Sequence, residues 1–199
     1  PSSFNVPHRL VASILYALPF GKGKQFVNRG GVANQLVGGW QTSTIFTAQS
    51  GAALDTSSWD AAGVAILPSS NRLNCVSSSL YGDRSDPNKF LNRAAFTNAV
   101  ATPGSYSSFG NCGRNNLIGP SFWNWDFSAL KDFRLSENHS LQFRAEMFNI
   151  ANHPQFGVGS TTVTWGNQGP VAQSLFGVIR QTITPTSMRQ IQFALKYNF

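Results

Sequence analysis

The strongest pattern in the chain is an alternation of apolar and polar residues near its end. From Gln190 to Phe199, Ile191, Phe193, Leu195, Tyr197 and Phe199 fall on one face, and Gln190, Gln192, Ala194, Lys196 and Asn198 on the other. A period of two marks a strand lying between two different environments. Ser140 to Ile150 repeats it: Leu141, Phe143, Ala145 and Met147 oppose Gln142, Arg144 and Glu146, and the alternation blurs at Phe148 to Ile150. From Trp123 to Leu135, Trp123, Trp125, Phe127 and Ala129 oppose Asn124, Asp126 and Ser128. Only Ser136 to His139 separates these last two segments, which predicts an antiparallel hairpin. Two earlier strands are expected at His8 to Leu18 and Gly39 to Gln49. Between them, Pro19 to Lys24 reads as a turn and Val32 to Val37 as one short helix.

The connections differ sharply in length. Gly51 to Phe122 and Ala151 to Ser187 are long, whereas Ser136 to His139 is very short. Long loops are uncommon in compact soluble domains. In outer-membrane barrels turns are short on the periplasmic side and loops long on the external side. That rule gives a direction: the first and last strands descend toward the periplasm, and Phe199 ends there. Trp123 and Trp125 then enter at the external rim, and Tyr197 and Phe199 sit at the periplasmic rim, where barrels carry aromatic girdles.

Composition supports the same solution. Charged residues are 12% of the 199 residues, about half the usual share. Aromatics reach 13%, with 16 Phe and 5 Trp, while mean hydropathy is only −0.15. No run approaches the roughly 18 apolar residues of a membrane helix. A closed barrel crosses by alternation instead, so it needs no such run. The expected fold class is all-β: an antiparallel transmembrane β-barrel fragment of about five C-terminal strands with long external loops. Five strands are too few to close, since bacterial barrels have an even number, about eight or more. The chain begins at Pro1, so the rest of the barrel is expected upstream.

Charge and chemistry add little to suggest an enzyme. The net charge is +7, but Lys and Arg are scattered, and the densest cluster is Lys22, Lys24 and Arg29. Rim or lumen positions account for them better than nucleic acid does. The histidines His8, His139 and His153 fall on separate elements, and no GxSxG occurs. Asp83, Asp86 and Asn88 approach a calcium-loop spacing without the closing Glu. Gly21 to Lys24 lacks the first Gly and the Ser/Thr of a phosphate loop. No cofactor or metal is expected. Asp126, Arg134, Arg144, Glu146 and Lys196 are expected to face the lumen, either lining a path or neutralising one another. Cys75 and Cys112 are expected to pair in an oxidising compartment, the alternative being two unrelated thiols.

Beyond these patterns, specific runs resemble a family. They are Asn5 to Ser13, Leu18 to Lys24, Gly38-Gly39-Trp40-Gln41, Phe109-Gly110-Asn111, Gly113-Arg114-Asn115, Gly119-Pro120 and Trp123 to Asp126. Further along come Phe143 to Glu146, Phe148-Asn149, Asn152-His153-Pro154, Phe156-Gly157 and Arg189 to Lys196. In order and spacing they resemble the barrel of TonB-dependent transporters, and more narrowly the Oar-like group. The resemblance spans most of residues 1–199 and is weakest from Ala52 to Ala99. It implies a plugged barrel of about 22 strands, with plug and N-terminal domains absent here. The implied partners are outer-membrane lipid, an unidentified nutrient substrate, and the TonB complex through the missing N-terminal region. The implied location is the outer membrane of a Gram-negative-type bacterium. The final strand also resembles the terminal strands of such barrels, which implies that Phe199, with Tyr197 and Phe193, is read by the barrel-assembly machinery. The expected function is active uptake; the alternative is a structural or adhesive barrel whose loops bind a surface partner.

Overall fold

A computed structural model of the chain describes residues 2–28, 30–59, 72–97, 110–158, 162–164, 176–182 and 188–199. Arg29 of the basic cluster and Phe109 of the family-like runs lie outside the described residues. In chain order the strands are β1 (Arg9–Ala17), β2 (Trp40–Gln49), β3 (Ala53–Leu54), β4 (Ser57–Trp59), β5 (Asn74–Cys75), β6 (Phe96–Thr97) and β7 (Leu117–Ile118). They continue with β8 (Phe122–Arg134), β9 (Ser140–Phe148), β10 (Phe156–Val158), β11 (Thr162–Thr164), β12 (Ile179–Thr182) and β13 (Gln190–Asn198). One helix, α1 (Val32–Val37), lies between β1 and β2. The chain forms two units. One comprises Arg9–Ala48, Trp123–Gln155 and Thr184–Phe199; the other comprises Pro1–His8, Gln49–Phe122 and Phe156–Ile183.

The first unit is built on a five-stranded sheet in the order β1-β2-β8-β9-β13. The long strands therefore neighbour one another in chain order, as a meander with no crossover. β9 pairs antiparallel with both β8 and β13, in unbroken register. One set of rows reads Ser128–Glu146–Gln192, Leu130–Arg144–Ala194 and Asp132–Gln142–Lys196. The intervening set reads Ala129–Ala145–Phe193, Lys131–Phe143–Leu195 and Phe133–Leu141–Tyr197. The alternations seen in the sequence thus coincide across strands, so that one face is mainly polar and the other mainly apolar. β1 and β13 are the two edges of the sheet.

At the end of the sheet where β8 turns into β9, the Leu135 and Ser136 N–H groups donate to the His139 carbonyl. The β1–β2 connection lies at this same end. Six residues are too few to hold a helix alone in water, so α1 depends on its neighbours. The Asn34 side chain accepts from the Lys22 N–H at 2.6 Å, and the Trp40 indole N–H donates to the Leu36 carbonyl at 3.0 Å. Gly21 has φ +114°, and an added Cβ there would lie 2.8 Å from the Gly38 Cα. Only glycine allows this approach.

The second unit corrects the reading of Gly51 to Phe122 as one long loop. Short antiparallel pairs join β3 to β7 and β5 to β6, and β10 pairs with β12. Leu73, Phe90, Leu91, Ala95, Phe96, Cys112, Leu117 and Phe176 form a buried apolar cluster. The acidic turn that approached a calcium spacing uses its carboxylates locally. Ser85 donates to Asp83 from its hydroxyl and backbone, and the Asn88 N–H donates to Asp86. These bonds hold both carboxyls below their ordinary range.

Cys75 and Cys112 are joined in a disulfide that spans 37 residues, with Cα atoms 5.0 Å apart. Cys112 lies inside the apolar cluster. Closing a loop of this size contributes about 3–4 kcal/mol in the chain-entropy account. In exported parent protein, blocking free thiols before mass spectrometry should leave both cysteines unalkylated. Reduction should lower the unfolding temperature of this unit and leave sheet content in detergent nearly unchanged.

Candidate functional site

The polar face of the sheet is where the candidate lumen residues gather. Arg134, Arg144, Glu146 and Lys196 occupy rows of one parity in the ladder, and Asp126 falls on the same parity of β8 as Arg134. Arg144 and Glu146 approach to 3.6 Å on β9. The Gln192 amide donates to Glu146 at 2.5 Å, and the Gln142 amide donates to Asp132 at 2.9 Å. Asn124 donates to Asp126 at 2.7 Å. Arg134 stands opposite Ser140, and Lys196 opposite Gln142. The carboxylates therefore meet amides and one guanidinium along a hydrated face. An exposed pair such as Arg144–Glu146 contributes only about 0–1 kcal/mol. Asp132 belongs to this network but escaped the sequence pattern, because Leu130 interrupts the polar alternation before it.

The opposite face carries Trp40, Trp123, Trp125, Phe143, Phe193 and Tyr197. Phe143 and Phe193 stack with ring centroids 6.1 Å apart, and Trp40 meets Phe143 edge-on at 6.3 Å. Tyr197 stacks on Phe199 at 5.9 Å. One charge breaks the pattern. Lys131 lies on this apolar face, opposite Phe143, three residues before the end of β8 at Arg134. It is 1% exposed, and its ammonium donates to the Gly38 carbonyl and lies about 5 Å from the Trp40 and Phe133 ring centres. Its stem contributes to an apolar surface while its head finds a carbonyl and two ring faces. The parity Phe127, Ala129, Lys131, Phe133 was the signal that could have found it.

Where β9 ends, a buried polar cap forms. Asn149 has φ +50° and Asn152 φ +51°, and the Asn152 N–H donates to the Asn149 carbonyl. The Asn149 side chain accepts from the His153 N–H and donates to the His153 carbonyl, while its own N–H donates to Asp126 at 2.9 Å. Gln155 donates to the Trp123 carbonyl, and the His153 ring lies over Trp123 at 4.2 Å. The family-like runs Phe148-Asn149 and Asn152-His153-Pro154 thus meet in a turn that ties the end of β9 to β8. His139 lies at the other end of β9, against the Tyr197 ring and hydroxyl. Among the described residues no group of His, Cys, Asp or Glu is placed to hold a metal ion.

A sheet with one polar and one aromatic-rich face suits a wall between water and lipid. Residues 1–192 match the family described as an outer membrane beta barrel domain. The chain belongs to that outer-membrane β-barrel family. No curated protein and no solved structure gives a match. In outer-membrane barrels generally, strands alternate lipid-facing apolar residues with polar residues toward the interior, and the two faces of this sheet have that kind of contrast.

Two outcomes follow from this geometry. Phe193→Arg should lower refolding stability of the parent barrel by about 2–4 kcal/mol, and Gln192→Arg by much less. Equal losses in a denaturant titration would reverse the face assignment. Asn149→Ala keeps a Cβ in left-handed backbone, which costs about 1–2 kcal/mol, without the local side-chain bonds by which Asn offsets part of it. It also removes the two side-chain bonds to His153, which are worth about 1 kcal/mol each. Asn149→Gly should recover the backbone part alone. Similar losses for both variants would show that strain is not involved.

Proposed function

We propose that this barrel segment is part of the wall of a TonB-dependent transporter that takes up a scarce nutrient across the outer membrane. The observation that supports this reading most is the polar face. Small barrels fill their interiors with packed side chains, whereas large transporters enclose a hydrated, plugged lumen. Arg144 pairs with Glu146, and amide–carboxylate pairs extend across three strands. Such a wall suits a broad, water-filled interior, and the resemblance of the family-like runs points to the plugged class. The segment needs no catalytic group of its own for that task.

A second reading draws on the disulfide-tied unit. A folded external region with its own apolar cluster suits an adhesive or structural barrel that binds a surface partner. One experiment separates the two. The full-length parent in detergent should be retained by the immobilised periplasmic domain of TonB, and a parent lacking its upstream TonB-contacting segment should not. Failure of the intact parent to bind would favour the adhesive reading.

The terminal strand carries a further expectation within this proposal. Phe199 is almost fully exposed, and its ring continues the stripe of Tyr197, Leu195 and Phe193. The free edge of β13 offers backbone groups for strand addition, with alternate side chains to fill pockets. Recognition by the barrel-assembly machinery would use those features. Removing Phe199 from the parent should sharply reduce its amount in the outer membrane of cells, while refolding of purified protein into detergent stays near normal. Normal membrane levels would leave Phe199 only a place in the aromatic girdle.

A further inference from the structure

The β1–β2 connection does more than reverse the chain. It folds against the apolar side of the sheet, because the Leu36 carbonyl receives the Trp40 indole and the Gly38 carbonyl receives the Lys131 ammonium. Both side chains belong to the aromatic face. Asn34 then ties the preceding turn to α1 through the Lys22 N–H, and Phe20 and Phe26 rings meet at 5.8 Å. The result is a braced connection that exposes several apolar side chains among polar ones. Val32 and Leu36, four residues apart on one side of α1, are 72% and 64% exposed, and Phe26, Val27 and Val37 are exposed beside them. From Pro19 to Gly38 there is no acidic residue, while Lys22 and Lys24 stand in the adjoining turn.

We infer that this connection is an interfacial anchor, which seats Val32 and Leu36 among the acyl chains of the inner leaflet and sets Lys22 and Lys24 at phospholipid phosphates. This rests on the proposed orientation, in which the Ser136 to His139 turn and Phe199 face the periplasm. Two observations select a phospholipid leaflet as the occupant. The connection that carries these exposed apolar residues is held to the aromatic face of the sheet by Trp40 and Lys131. The charge is of the right sign for anionic headgroups, and helices of this kind bind by apolar burial plus attraction to anionic lipid. Lys131 acts as a positioning residue: its ammonium holds the end of α1 against the wall.

The native cysteines are paired, so an added one can be labelled alone. The full-length parent would carry Leu36→Cys, Phe193→Cys or Val76→Cys with an environment-sensitive fluorophore, in vesicles of phosphatidylethanolamine and phosphatidylglycerol. Spin-labelled lipid should quench the Leu36 and Phe193 positions severalfold more than aqueous iodide does, and the exposed Val76 position should show the reverse. Iodide quenching at Leu36 together with lipid quenching at Phe193 would overturn the anchor and leave the barrel intact. Iodide quenching at both would overturn the lipid-face assignment itself, and the anchor with it. Adding K22Q and K24Q should weaken lipid quenching at Leu36 in these vesicles but not in phosphatidylcholine alone. An unchanged signal would remove the lysines from the anchor. Lys131→Met should raise iodide access at Leu36 while Phe193 stays protected. No change at Leu36 would overturn the positioning role.

Discussion

Everything in this wall depends on the backbone. Hydrocarbon offers no partner for an N–H or C=O, so each must be paired within the protein. β9 meets this demand on both sides, with β8 and β13 in unbroken register. Once the backbone is committed to a ladder, side chains alternate with a period of two, and a one-residue slip would exchange the two faces completely. The continuous rows from Ala129 to Phe193 and from Ser128 to Gln192 therefore fix register as firmly as the hydrogen bonds do.

The same constraint explains what happens where the ladder stops. At the end of β9 the chain must leave the sheet without stranding polar groups, and Asn149 does this with left-handed backbone and an amide that closes on His153. Gln155 then occupies the Trp123 carbonyl. At the opposite end, Trp40 and Lys131 give their donors to the carbonyls of Leu36 and Gly38. Polar side chains thus fill carbonyls at each end: Trp123 of β8 at one, and the end of α1 at the other. Lys131 tolerates the apolar face because a cation close to the strand end costs little, roughly 0–1 kcal/mol near the interface. A charge-assisted hydrogen bond contributes about 1.5–3 kcal/mol.

The second unit obeys a different rule. It is stabilised as small exported domains are, by a compact apolar cluster and a cross-link. Phe96 and Phe176 meet edge to face at 5.0 Å although they are far apart in sequence, and Arg93 donates to the Phe176 carbonyl. Gly177, at φ +69°, packs so closely on Leu91 that a Cβ would collide with it. These contacts join segments that are separated in the chain by an entire β8–β9 hairpin.

The amino-acid sequence alone determined the five long strands, the alternation of their faces and the barrel class, because in a two-sided wall the environment of each residue is set by its parity. Strand bounds at β8, β9 and β13 lie within two residues of those read from the alternation, and α1 spans Val32–Val37 as the pattern predicts. The five lumen candidates fall on one face for the same local reason. Only the tertiary structure decided the rest. The cluster around Leu73, Leu91 and Phe176 has no period, since its members come from turns and two-residue strands brought together by long-range contacts. The seat of Lys131 depends on Gly38, which is 93 residues away in the chain. No local pattern could report that contact, because it exists only once β2 and β8 lie side by side.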